Sequence, residues 1–296
     1  NAGEAAGPST PLACIMSNMG VMTGLVGLKA AAQRYADRAI AMAEGQGQYA
    51  ASAYVWHINT IQCAQDGSWV AALNANDQAI SLVKALDDFN LEAEAHVVRA
   101  TVELARGNFA AAPSAWRRSR ELAERSGNAQ IECWSYLDEV DTLLGADDVD
   151  GAQRALDIAL GIPTAQADGS STGDKQRALA TTALRRGKFD DALAAAREVV
   201  SLVTRQPPTG YHWVDFFASA VEVQFAVCEA GPEGVDVTAL RREARRALKK
   251  LHGMKRTFWN VKPRAELLES IALAVENNPG AAAKRLRKAI TVAVDM

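Results

Sequence analysis

Apolar and small residues recur along this chain at a forty-residue step. Gly27, Gly67, Gly107 and Gly187 fall on one column, with Asp147 in the fourth place. Two residues on stand Lys29, Trp69, Phe109, Val149 and Phe189. Five residues on, every place is alanine: Ala32, Ala72, Ala112, Ala152 and Ala192. Twelve on come Ala39, Ala79, Ser119, Ala159 and Val199. A fixed period of this length marks a repeat built from one supersecondary unit. The columns carry a physical reading. The glycine supplies the left-handed residue that ends a helix. The apolar residue after it opens a second helix and packs across the corner. Alanine sits where the two helices cross, because a larger side chain would push them apart.

This register predicts helix pairs at 11–25 and 29–45, 48–65 and 69–87, 91–106 and 109–126, 129–144 and 149–160, and 174–186 and 189–205. Thr10-Pro11 supplies the first cap and first helical residue, and Ser126-Gly127-Asn128 a stop and restart. The run 206–210, with Pro207 and Pro208, forces a break. Helices at 214–229, 238–252, 263–276 and 281–294 then complete two irregular pairs, the last opened by the turn Asn277-Asn278-Pro279-Gly280. The segment 162–173 has linker-like polar composition. No alternating run suggests a strand. The fold expected is all-α: an α-α superhelix of about seven helix pairs, five of them at the forty-residue period. Residues 1–10 are expected to be a disordered lead-in, 11–205 the five regular pairs, and 206–296 two irregular pairs that continue the array.

Composition sharpens this picture in two places. Hydrophobic residues make up 49% of the chain but aromatics only 6%; alanine, the best helix former, supplies much of the difference. The net charge of −3 conceals an asymmetry. Residues 1–150 carry 10 Lys+Arg against 19 Asp+Glu, and residues 151–296 carry 22 against 16. No stretch of eighteen apolar residues offers a transmembrane helix, and no basic region precedes Leu12–Leu28 as in a signal peptide. Cys14, Cys63, Cys133 and Cys228 form no C-x-x-C pair, so buried thiols in a reducing cytoplasm are expected.

The column Gly-x-aromatic-x-x-Ala, with a helix on either side, resembles the tetratricopeptide repeat over residues 11 to about 205. It departs from that family in period, which usually runs to about thirty-four residues. A narrower resemblance rests on Gly20-Val21 through Arg34-Tyr35-Ala36-Asp37-Arg38-Ala39, on Pro208-Thr209-Gly210-Tyr211 leading to Val221-Glu222-Val223, and on Leu286-Arg287-Lys288-Ala289. These look like the repeat region at the C-terminal end of bacterial class III adenylate/guanylate cyclases that carry an ATPase module. That resemblance implies a regulatory, protein-interaction scaffold within a multidomain signalling protein, with cyclase and ATPase outside this chain. The alternative is a ligand- or peptide-sensing repeat domain of a LuxR- or MalT-like transcriptional activator, which carries similar arrays.

Candidate chemistry is sparse. Gly20-x-x-x-Gly24-x-x-Gly27 lacks the Lys-Ser/Thr of a phosphate loop. His57, His96, His212 and His252 have no His or Cys at ligand spacing. Asp87-Asp88, Asp147-Asp148 and Asp190-Asp191 fall at helix ends, where acids cap and complement the dipole. The chain is therefore expected not to be an enzyme, and no cofactor or metal is expected. The first helix of each pair lines the inner groove of such arrays. The register places Tyr54, His57, Glu94, Trp134, Asp138, Asp141 and Arg177 there, as a partner-binding groove for a basic or amphipathic peptide or for other domains of the parent chain. Tyr54 and Trp134 read equally as packing residues. The basic runs near 241–250 and 284–288 are expected to be solvated faces or charge partners within the protein. Neither a membrane nor nucleic acid is an expected partner.

Overall fold

The computed structural model describes residues 7–164, 169–206, 208, 210 and 212–296. The first six residues of the expected lead-in, residues 165–168, and Pro207, Thr209 and Tyr211 of the expected break lie outside the described residues. The described chain is all-helical, with no strand. Its fourteen helices are α1 (Thr10–Leu25), α2 (Lys29–Gly45), α3 (Tyr49–Gln65), α4 (Trp69–Leu86), α5 (Phe89–Ala105), α6 (Ala112–Ser126), α7 (Ala129–Gly145), α8 (Val149–Gly161), α9 (Gly169–Arg185), α10 (Phe189–Arg205), α11 (His212–Ala230), α12 (Val237–Met254), α13 (Val261–Val275) and α14 (Pro279–Val294).

Contacts cluster into two units, Asn1–Ser135 and Tyr136–Met296, so the division falls inside α7. Within the first unit α1 packs on α2, α3 on α4 and α5 on α6, and the first helices touch in turn, α1 on α3 and α3 on α5. Within the second unit α9 packs on α10, α11 on α12 and α13 on α14, with α9 on α11 and α11 on α13. Each unit is thus a stack of helix pairs whose first helices form one continuous row, as in a helical-repeat array.

The columns explain why. Gly27, Gly67, Gly107 and Gly187 all take positive φ, and Asp147 does so in the fourth place (φ 62°). A second column, Gly47, Asp87 and Gly127, does the same between pairs. Asp88 and Asp148, each next after a left-handed aspartate, cap the following helices by accepting from the amides of Leu91 and Gly151. The five column alanines are 0–1% exposed. In the later column Ser119 replaces alanine, and its hydroxyl donates to Ala93 O across the crossing at 3.0 Å.

Two expectations of the register are corrected. Phe109 does not open a helix or pack across the corner; it is 53% exposed. Residues 109–111 form a turn, and α6 starts at Ala112 with Pro113 in its first turn, where proline costs no hydrogen bond. The supposed linker 162–173 already belongs to α9 from Gly169 onward. Within its first turn Ser171 is buried, 2% exposed. A Cβ on Gly173 would come within 2.9 Å of Phe216 Cδ2, so glycine is what lets α11 approach α9 there. Packing overrides local propensity in this turn.

Candidate functional site

The groove candidates of the first unit divide. His57 Nε2 on α3 lies 3.7 Å from Glu94 Oε2 on α5. Burial holds His57 down to about 4, so the ring is neutral near pH 7, and its Nδ1 is buried without a hydrogen-bond partner. Burial pushes Glu94 up, against a hydrogen bond from Asn90. Tyr54 is tied to α1, donating from its hydroxyl to Asn18 Oδ1 at 3.1 Å. Trp134 is partly buried against Ala93, Leu122, Ala123 and Ile131, a packing role.

The candidates of the second unit converge. Arg177 on α9 is 1% exposed and faces Asp138 and Asp141 on α7. Its Nη1 lies 2.5 Å from Asp141 Oδ1. Its Nη2 donates to Asp138 Oδ1 at 3.4 Å and to the backbone oxygen of Leu137 at 2.9 Å. The sequence reading missed a further partner, Asp174, one turn earlier on α9. Arg177 Nε donates to its Oδ1 at 2.9 Å and Nη2 at 2.6 Å. The signal was present, since Asp174 stands forty residues past Trp134 and eighty past Glu94. It was hidden because 162–173 read as a linker, which put Asp174 at a helix start.

Two further first helices extend the cluster. Arg264 on α13 donates to Asp215 Oδ1 (3.3 Å), Ser219 Oγ (2.8 Å) and Glu222 Oε2 (3.3 Å) on α11. The Arg177 guanidinium also lies 5.9 Å from the centre of the Phe216 ring. Helices α7, α9, α11 and α13 therefore bring Asp138, Asp141, Asp174, Asp215 and Glu222 around two guanidiniums.

The electrostatics follow from burial first and from that surplus of carboxylates second. Burial raises Asp138 well above the usual carboxylate range, with Asp174 adding to the shift and Arg177 opposing it. Asp174 and Asp215 are raised by burial too, against Arg177 and Arg264 respectively. Burial would lower Arg177, but Asp141, Asp174 and Asp138 outweigh it and hold the guanidinium charged. Burial is the larger cause of these shifts, and repulsion among the neighbouring carboxylates adds to it.

Among the described residues no group of three His, Cys, Asp or Glu is placed to hold a metal ion. No described helix is long and apolar enough to cross a membrane. The four cysteines are unbridged. No family model matches the chain, and no curated protein matches it significantly.

Proposed function

We propose that this chain is a recognition module without chemistry of its own, and that the first-helix face around Arg177 engages a basic segment of a partner protein or of a neighbouring domain. One observation carries the reading: five carboxylates share two guanidiniums there, three acids more than the cluster's own cations can balance. An incoming guanidinium or ammonium group pairs with the part-exposed members of that surplus, Asp138 and Asp141. The resemblance at Arg34-Tyr35-Ala36-Asp37-Arg38-Ala39 and Leu286-Arg287-Lys288-Ala289 supports a setting in a cyclase–ATPase signalling protein, where the array would serve as a regulatory scaffold.

The experiment is a titration of the full chain with a fluorescent oligo-arginine peptide. Asp138→Asn with Asp141→Asn should weaken binding by about tenfold or more, since each loses a charge-assisted contact of roughly 1.5–3 kcal/mol. The control pair is Asp157→Asn, on the exposed face of α8, with Asp190→Asn, at the start of α10. It changes net charge equally and should alter affinity only slightly. Equal weakening by both pairs rules the face out.

A further inference from the structure

The last three helices hold a second charge imbalance, of opposite sign. Residues 237–296 carry 14 Lys+Arg against 5 Asp+Glu. The acids are already engaged. Glu243 accepts from Arg197 and Gln224. Glu269 and Glu276 share Arg245, and Glu269 also meets His252. Only Asp295, next to the chain's end, stands outside these contacts.

Glu266 is the extreme case. Its side chain on α13 is 3% exposed, and three cations converge on it from two directions. Lys255, just past α12, donates to Oε1 at 3.0 Å. Lys288 on α14 donates to the same oxygen at 3.1 Å. Arg285, one turn earlier on α14, donates to Oε2 at 2.7 Å. Two ammonium groups that share one oxygen at these distances cannot be more than about 6 Å apart. One buried carboxylate neutralises one charge and leaves a surplus of two. A salt link needs one cation, so the other two are not explained by the need to satisfy Glu266.

The cations are also open outward. Their side chains are 25%, 42% and 54% exposed for Lys255, Arg285 and Lys288, while the carboxylate beneath is covered. The hydrogen bonds to Glu266 use one N–H of each, leaving two on each ammonium and four on the guanidinium. Such donors, gathered by a fixed internal anion, match the tetrahedral oxygens of phosphate, for which arginine and lysine are the usual partners. We propose that Lys255, Arg285 and Lys288 form a binding site for a multiply charged phosphate group, with Glu266 as the internal anion that holds the three together.

Isothermal titration of the full chain with inorganic tripolyphosphate at physiological ionic strength tests this. Saturable binding is expected. Arg285→Ala with Lys288→Ala, both outward on α14, should weaken it by about tenfold or more. Lys284→Ala with Arg287→Ala removes the same charge from the same helix without touching Glu266, and should weaken it by less than about twofold. Vesicles of phosphatidylcholine with phosphatidylinositol bisphosphate identify the source: co-sedimentation places the phosphate on a lipid headgroup, and tripolyphosphate binding without it places it on a soluble molecule. Absence of saturable tripolyphosphate binding, or equal losses in the two double variants, overturns the proposal.

Discussion

Ala112 shows how much one side chain decides. It is fully buried and packs with Ala100 of α5 and Ala115 and Trp116 of its own helix. A branched four-carbon side chain has no room at that crossing. Ala112→Leu should lower stability by roughly 1–3 kcal/mol through overpacking. Ala110, two residues earlier, lies exposed in the turn before α6, and Ala110→Leu should change stability by no more than about 0.5 kcal/mol. Thermal melts of the two variants check the register; equal shifts would show that the alanine column does not mark the crossings. At this scale the sequence was informative because the constraint is steric. Asp147 could be read as a stand-in for glycine, since aspartate tolerates the left-handed region better than most residues. Phe109 could not be read correctly, because its burial depended on where the turn at 109–111 closed, and that is a backbone matter the column does not encode.

At the scale of helices, period and punctuation were enough to place thirteen of the fourteen starts within a few residues, and α9 was the exception. Its first turn is Gly169-Ser170-Ser171-Thr172-Gly173, residues that favour loops in isolation. The turn is helical because α11 packs onto it through Gly173 and Phe216. The same missed turn concealed Asp174, so the candidate site was half legible: Asp138, Asp141 and Arg177 were found, while Asp174, Asp215 and Arg264 needed the stacking of α9, α11 and α13. The cluster should behave asymmetrically on mutation. Arg177→Met strands Asp174 and Asp138 without their cation and should cost roughly 3–5 kcal/mol at pH 7. Asp138→Asn removes a carboxylate whose charge is disfavoured in the fold, and should raise the melting temperature at pH 7. Denaturant melts of Arg177→Met and thermal melts of Asp138→Asn test this; destabilisation by Asp138→Asn would mean that its charge is needed to hold Arg177.

For the whole molecule, two sets of buried groups, the histidines of α3 and α5 and the aspartates of α7, α9 and α11, should respond to acid in opposite directions. In the first unit burial lowers His57 and His96 from the ordinary 6.5 to about 4. The unfolded chain therefore binds more protons than the folded one between those values, and stability falls as pH drops from about 6.5 to about 4. The loss is on the order of 3 kcal/mol at most for the deeply buried His57. In the second unit the raised Asp138, Asp174 and Asp215 act the other way. Their folded forms hold protons that the unfolded chain releases, so that contribution is present at low pH and lost as pH rises through their folded values. Glu266 enters only later. Burial would raise it, but hydrogen bonds from Lys255, Arg285 and Lys288 outweigh that and hold it at about 2, so its contribution disappears only as pH falls below about 4.3 toward 2. As pH falls from about 6.5 toward 4, amide hydrogen exchange, corrected for intrinsic rates, should therefore become faster around His57 in α3 and His96 in α5, whereas α9 and α11 should become slower as the raised aspartates take up protons. His57→Gln should suppress much of the change in α3 while leaving α9 and α11 unaltered. A uniform response of all four helices would mean that the buried histidines and the aspartate cluster do not govern the stability of their own units.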